Sequence, residues 1–159
     1  MGYISKNLMG DEEIIYSAKI HWFIYIPSLF LLVLGIGLVS AGLSGDGESN
    51  TGMNVLGGFM VFLSPFSFIG ALITRSTTEL GITTKRVIAK TGWIRRHTVE
   101  LNHSKVESFN VDQGIIGRIF GFGTVTIQGT GGGKTPIKGI DSPLKFRNEA
   151  VEIIDKKSN

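Results

Sequence analysis

Gly129-Thr130-Gly131-Gly132-Gly133-Lys134-Thr135 is the segment of this chain that most invites a chemical reading, as a loop cradling phosphate. Such a loop needs a glycine five residues before the glycine of its Gly-Lys pair, and then a helix whose N-terminus faces the phosphates. Gln128 stands at the first place, and Pro136-Ile137-Lys138, a strand pattern, stands at the second. The segment therefore reads as a flexible hairpin. Gly121-Phe122-Gly123 lacks the third glycine of a dinucleotide fingerprint, Thr126 being in its place, and it follows no parallel βα unit. His97 and His103 lie on different elements with no third ligand beside them, and His103-Ser104 has no geometry for a catalytic triad. The chain has no cysteine, which removes thiolate chemistry, disulfides and cysteine metal sites. No enzyme constellation, metal site or cofactor is expected.

Charge gives a second lead. Net charge is +3, yet from Arg75 onward fourteen Lys and Arg stand against eight Asp and Glu, a balance of +6. Lys85, Arg86, Lys90, Arg95 and Arg96 are grouped near the start of this part. A basic surface beside a bilayer is drawn to anionic lipid headgroups; a solvated strand face would carry the same residues. No aromatic platform is interleaved with them, so nucleic acid is not expected as a partner.

The elements that must position these residues begin with two uncharged windows, Ile20–Gly45 and Ser49–Thr74, each 26 residues long. A helix rises about 1.5 Å per residue, so roughly 20 apolar residues cross a hydrocarbon core of ~30 Å. Trp22–Leu43 and Met53–Ile73 meet that length with no charged face. They read as a transmembrane hairpin over residues 22–73, with spans 22–43 and 53–73 and an external turn at 44–52. The turn holds Asp46 and Glu48 but no Lys or Arg, whereas Lys6, Lys19, Arg75, Lys85 and Arg86 flank the spans. The positive-inside rule then puts both termini in the cytoplasm. A signal peptide fits poorly, because Asp11-Glu12-Glu13 would lie in its leading region. Trp22 and Tyr25 suit the headgroup level. Gly37, Ala41 and Gly45 recur every four residues, a stripe that lets another helix approach closely: the other span, or a second protein. Neither span holds an ionisable residue, so a channel or pump is not expected.

Residues 1–21 read as a short cytoplasmic leader, with 11–20 open between an interfacial helix and a strand. Residues 74–159, 86 in number, fit one small domain. Short alternating runs at 77–84, 86–91, 94–101, 105–112, 123–128 and 134–140, separated by glycine and polar turns, predict an antiparallel sandwich or barrel. Ser142-Pro143 starts a helix. Phe146, Ala150, Ile153 and Ile154 would form its apolar face, widened by Leu144 and Val151, and this helix would close the open end of the sandwich.

Thr83-Thr84-Lys85-Arg86-Val87-Ile88 with Gly92, Glu100-Leu101 with Ser104-Lys105-Val106-Glu107-Ser108, Gly117-Arg118-Ile119-Phe120-Gly121-Phe122-Gly123-Thr124-Val125 and Asp141-Ser142-Pro143 together resemble the segments of bacterial pleckstrin-homology-like domains. With two spans ahead of them, the order is similar to that of membrane-flanked domain proteins. The resemblance implies a mainly-β pleckstrin-homology-like sandwich capped by a C-terminal α-helix. It supplies no ligand and no catalytic motif, and a shared fold does not fix function. The expectation is a non-enzymatic binding module in the cell membrane. Its basic residues would meet lipid headgroups or a protein partner. The alternative is a structural subunit of a larger membrane assembly or homo-oligomer joined through Gly37 and Ala41.

Overall fold

The computed structural model describes residues 2–44 and 49–158. It divides into two compact units: Trp22–Ile73, and a discontinuous unit made of Met1–His21 with Thr74–Asn159.

The first unit is a pair of helices. A 3-10 turn at Trp22–Tyr25 leads into α2 (Ile26–Leu43), with Pro27 in the first turn, where its missing N–H costs nothing. α3 (Ser49–Thr77) runs through Pro65 as one element. It starts at Ser49, ahead of the expected Met53, so residues 49–52 are helix rather than turn. Residues 45–48, the acidic part of that turn and the Gly45 end of the small-residue stripe, lie outside the described residues. Both helices are long and apolar enough to cross a membrane. Phe30, Val33 and Ile36 of α2 and Phe59, Phe62 and Phe66 of α3 are each more than half exposed.

The helices meet along small residues spaced by seven. Ser28, Gly35 and Gly42 are buried on α2, and Gly57, Ser64 and Ala71 on α3. Ser64 donates its hydroxyl to the Ser28 carbonyl at 3.1 Å. A Cβ added at Gly35 would sit 2.8 Å from the Gly57 carbonyl oxygen, and one at Gly57 would sit 2.7 Å from that of Gly35. A seven-residue repeat holds a seam on one face of a slightly under-wound helix, and small residues there let two backbones touch. The expected stripe does not make this contact: Gly37 and Ala41 are exposed, and a Cβ at Gly37 would meet nothing.

The second unit holds two antiparallel sheets. One has the order β1 (Ile14–Ala18), β2 (Glu79–Thr83), β3 (Arg86–Thr91), β4 (His97–Asn102). The other has the order β5 (Val106–Asp112), β6 (Phe122–Gly129), β7 (Lys134–Asp141). A short helix α1 (Tyr3–Lys6) precedes β1, α4 (Ile115–Phe120) joins β5 to β6, and α5 (Pro143–Ser158) ends the chain. The two sheets and the closing helix match the architecture read from the sequence. Of the two alternatives open for residues 11–20, a strand is the one formed, and the short leader packs on the sheet. Ile14–Ala18 is a strand on β2, and Ile4 lies buried over Gly81. β2 and β3 are buried over most of their length on both faces. One face turns to the core and the other needs a cover, which residues 3–13 supply.

Leu80, Ile82 and Val87 from one sheet and Phe109, Val125 and Ile127 from the other are buried. Phe146 of α5 is fully buried, edge-on to Tyr16 at 5.9 Å and to Phe109 at 6.0 Å, so one ring ties both sheets to the helix. Ala150 is buried beside it, but Leu144 and Val151 lie exposed, outside the apolar face assigned to them.

Candidate functional site

The connections of the β-unit define one of its ends. Ala18 pairs with Leu80, Glu79 with Lys90, and Thr91 with His97, so the β3–β4 loop lies at the edge of the sheet where β1 stops and β2 starts. Those are the points at which the chain passes into Trp22 and arrives from Ile73. Lys19 to His21 then run along the end of β7. The Lys19 carbonyl accepts from Asp141 N–H at 2.9 Å, Ile20 bridges Ile140, and His21 donates its N–H to the Gly139 carbonyl at 2.8 Å. The His21 ring stacks on Phe122 at 5.4 Å. The α4 turn, between Asp112 and Phe122, adjoins the same segment.

The five cations singled out from the sequence separate in the fold. Arg86 is not a surface residue; it is 7% exposed and holds the centre of an ion network. Its Nε and Nη2 donate to the two oxygens of Glu12 at 2.9 and 2.8 Å, its Nη1 to Glu100 at 2.6 Å, and its Nη2 also to the Asn7 carbonyl at 2.9 Å. The Thr83 hydroxyl lies 2.6 Å from Glu12 and accepts the Arg86 N–H at 3.0 Å. This explains the Thr-x-x-Arg pattern: the threonine clips the β2–β3 turn, and the arginine pins the N-terminal segment across it. Burial pushes the Glu12 carboxyl upward. The hydrogen bonds from Thr83, Arg86 and the Met9 N–H, with the Arg86 charge, outweigh that and hold it at about 2.

Lys90 is engaged as well. Its Nζ lies 4.0 Å from Glu79 and 4.6 Å above the Tyr3 ring. Glu79 in turn accepts the N–H groups of Tyr3 and Ile4, at 2.7 and 3.0 Å. Lys85 is exposed on the β2–β3 turn, at the opposite end of the sheet from the chain connections. Only Arg95 and Arg96 stay together on the surface. The sequence reading put them on a strand; they occupy the loop before His97. Gly92 turns that loop with φ +87°, and a Cβ there would collide with the Arg95 carbonyl. Both arginines are exposed, and no ion pair among the described residues involves either.

Sequence reasoning passed over the apolar neighbours of these cations. Trp93 is 58% exposed and Ile94 is 89% exposed. A Gly-Trp-Ile-Arg-Arg run at a turn was the available signal, since large apolar residues rarely occupy a tip facing water. Among the described residues, no three His, Cys, Asp or Glu side chains converge as a metal site would require.

A family model, the bacterial PH domain, matches residues 22–156. The match covers most of the chain, both long helices included, and the chain belongs to that family. No curated protein and no solved structure matches it.

Proposed function

We propose that the chain is a two-span membrane protein whose PH-like unit is held at the cytoplasmic face as a non-enzymatic binding module. Arg95 and Arg96 would meet anionic lipid headgroups there. The observation that carries the topology is the pairing of Ile14–Ala18, ahead of the first apolar helix, with Leu80–Thr83, behind the second. Strands that pair must share one compartment, which an even number of crossings provides. Lys6, Lys19 and Arg75 beside the helices then favour the cytoplasmic side. Support for headgroup contact comes from two exposed guanidiniums at the edge where the chain joins its apolar helices.

Each well-placed cation near an anionic surface is worth about 1 kcal/mol, so losing two weakens retention of anionic lipid about thirty-fold. Native mass spectrometry of the purified full chain reads this directly. The wild type is expected to retain phosphatidylglycerol over phosphatidylcholine, and Arg95→Glu/Arg96→Glu to lose the preference. Equal retention of both lipids by the wild type would remove the headgroup reading.

The second reading, a subunit of a larger assembly, draws on the open small-residue face at Gly37 and Ala41. It is favoured if a complex on detergent native gels survives Arg95→Glu/Arg96→Glu and is lost with Gly37→Leu.

A further inference from the structure

The end of the β-unit that joins the apolar helices also carries an unusual share of exposed apolar side chains. On α4, Ile115 is 82% exposed and Ile119 is 72% exposed, with Ile116 beside them. A six-residue helix cannot bury so many apolar groups when its one buried residue, Gly117, is the one set against the Phe122 backbone. The turn back is sharp, because Gly121 caps α4 with φ +81° and sends the chain straight into β6. Ile115, Ile116 and Ile119 are left projecting from the molecule, with the exposed Arg118 among them. The β3–β4 loop repeats the composition on the other sheet, where Trp93 and Ile94 precede Arg95 and Arg96.

We propose that these two projections dip into the headgroup–acyl boundary of the bilayer, so that the β-unit lies in the membrane surface rather than swinging above it. The inference rests on the two-span reading and adds to it. Three facts favour a lipid surface as the occupant. Both projections adjoin the segments through which the chain enters and leaves its membrane-length helices. Each pairs large apolar side chains with arginine, the combination that suits the interface, where tails take the apolar part and phosphates the cation. Trp93 has the amphipathic ring favoured at that depth. The opposite end of the unit, with the Lys85 turn, also exposes Met9, Ile14 and Ile15, but the exposed charges next to them in sequence are the carboxylates of Asp11 and Glu13, which an anionic surface repels, and no exposed arginine accompanies them.

Because the chain has no cysteine, one nitroxide can be placed at will on the full-length protein in phosphatidylglycerol/phosphatidylcholine vesicles. Labels on Ile119→Cys and Ile94→Cys are expected to collide with oxygen severalfold more than with a water-soluble nickel chelate. A label on Lys85→Cys is expected to show the reverse. Tryptophan emission of Trp22→Phe, which leaves Trp93 alone, is expected to be quenched by brominated lipid, and this checks the site without a label. Water-type accessibility at positions 94 and 119, in protein that floats with the vesicles, overturns this inference and leaves the anchoring reading intact. Protein that fails to float defeats both. Spin–spin broadening at position 119 marks a second copy as the occupant and overturns the lipid assignment.

Discussion

Glu12→Ala is expected to destabilise the β-unit by about 3 kcal/mol, the lower end for breaking a buried ion pair, since the buried guanidinium would keep only the partly exposed Glu100 as a counter-charge. Arg86 is 7% exposed, and its Nε would be left without its acceptor in a site water barely reaches. Because Glu12 fastens the N-terminal segment over β2 and β3, the same change should expose residues 7–13 to protease before the rest of the unit unfolds. Glu12→Leu/Arg86→Met removes both charges together and should lose clearly less than the two single substitutions combined. The pH dependence has a definite sign. The folded carboxyl titrates at about 2, below its ordinary 4.5, so its contribution is complete above about pH 4.5 and disappears as pH falls toward 2. In Glu12→Gln this group contributes no such loss. Thermal melts of the purified full chain between pH 7 and 3 measure the stability effects, and limited proteolysis measures the exposure of residues 7–13. A Glu12→Ala melt within about 0.5 kcal/mol of wild type, the range of ordinary surface changes, would show that the network does not hold the unit together.

Gly57→Leu is the second large effect. The side chain would have to enter where a Cβ alone already meets the Gly35 carbonyl at 2.7 Å and Leu38 and Val39 at 2.9 Å. Two of these neighbours are side chains, but the first is backbone and cannot rotate away. Overpacking costs about 1–3 kcal/mol even where a core can adjust, and here the helices must separate. Disulfide trapping between Ser28→Cys and Ser64→Cys reports the contact. The yield should fall severalfold in Gly57→Leu and remain unchanged in Gly37→Leu, whose side chain would point into open space. Equal loss in both would mean that the four-residue stripe, not the seven-residue seam, joins the helices.

That contrast shows what a one-dimensional reading could reach. Length and the absence of charge marked both apolar helices, and alternation marked the strands after them, because each depends on neighbours in sequence. Two small-residue series were present in the first window, spaced by four and by seven. Only the complementary series at Gly57, Ser64 and Ala71 on the second helix decides between them, and that is a property of the pair. Arg86 was misplaced for the same reason. Its partner Glu12 lies across the whole hairpin, in a segment that looked like a leader, so a buried ion pair read as a surface cation. Ile94–Arg96 looked like strand because Ile94 favours strands and the run continues into Thr98, Val99 and Leu101, yet Gly92 turns the chain at φ +87° and delays β4 to His97. Arg95 and Arg96 were legible as a pair. The tip they share with Trp93 needed the loop to be seen.

Labelling of single cysteines in intact cells tests the central claim most directly, that two apolar helices cross the membrane and leave the PH-like unit inside. With a membrane-impermeant maleimide, Asp46→Cys should react in intact cells. Gly131→Cys, on the exposed β6–β7 hairpin, should react only after the membrane is opened. Reaction at position 131 in unbroken cells, or recovery of the protein in the soluble fraction, would contradict the account.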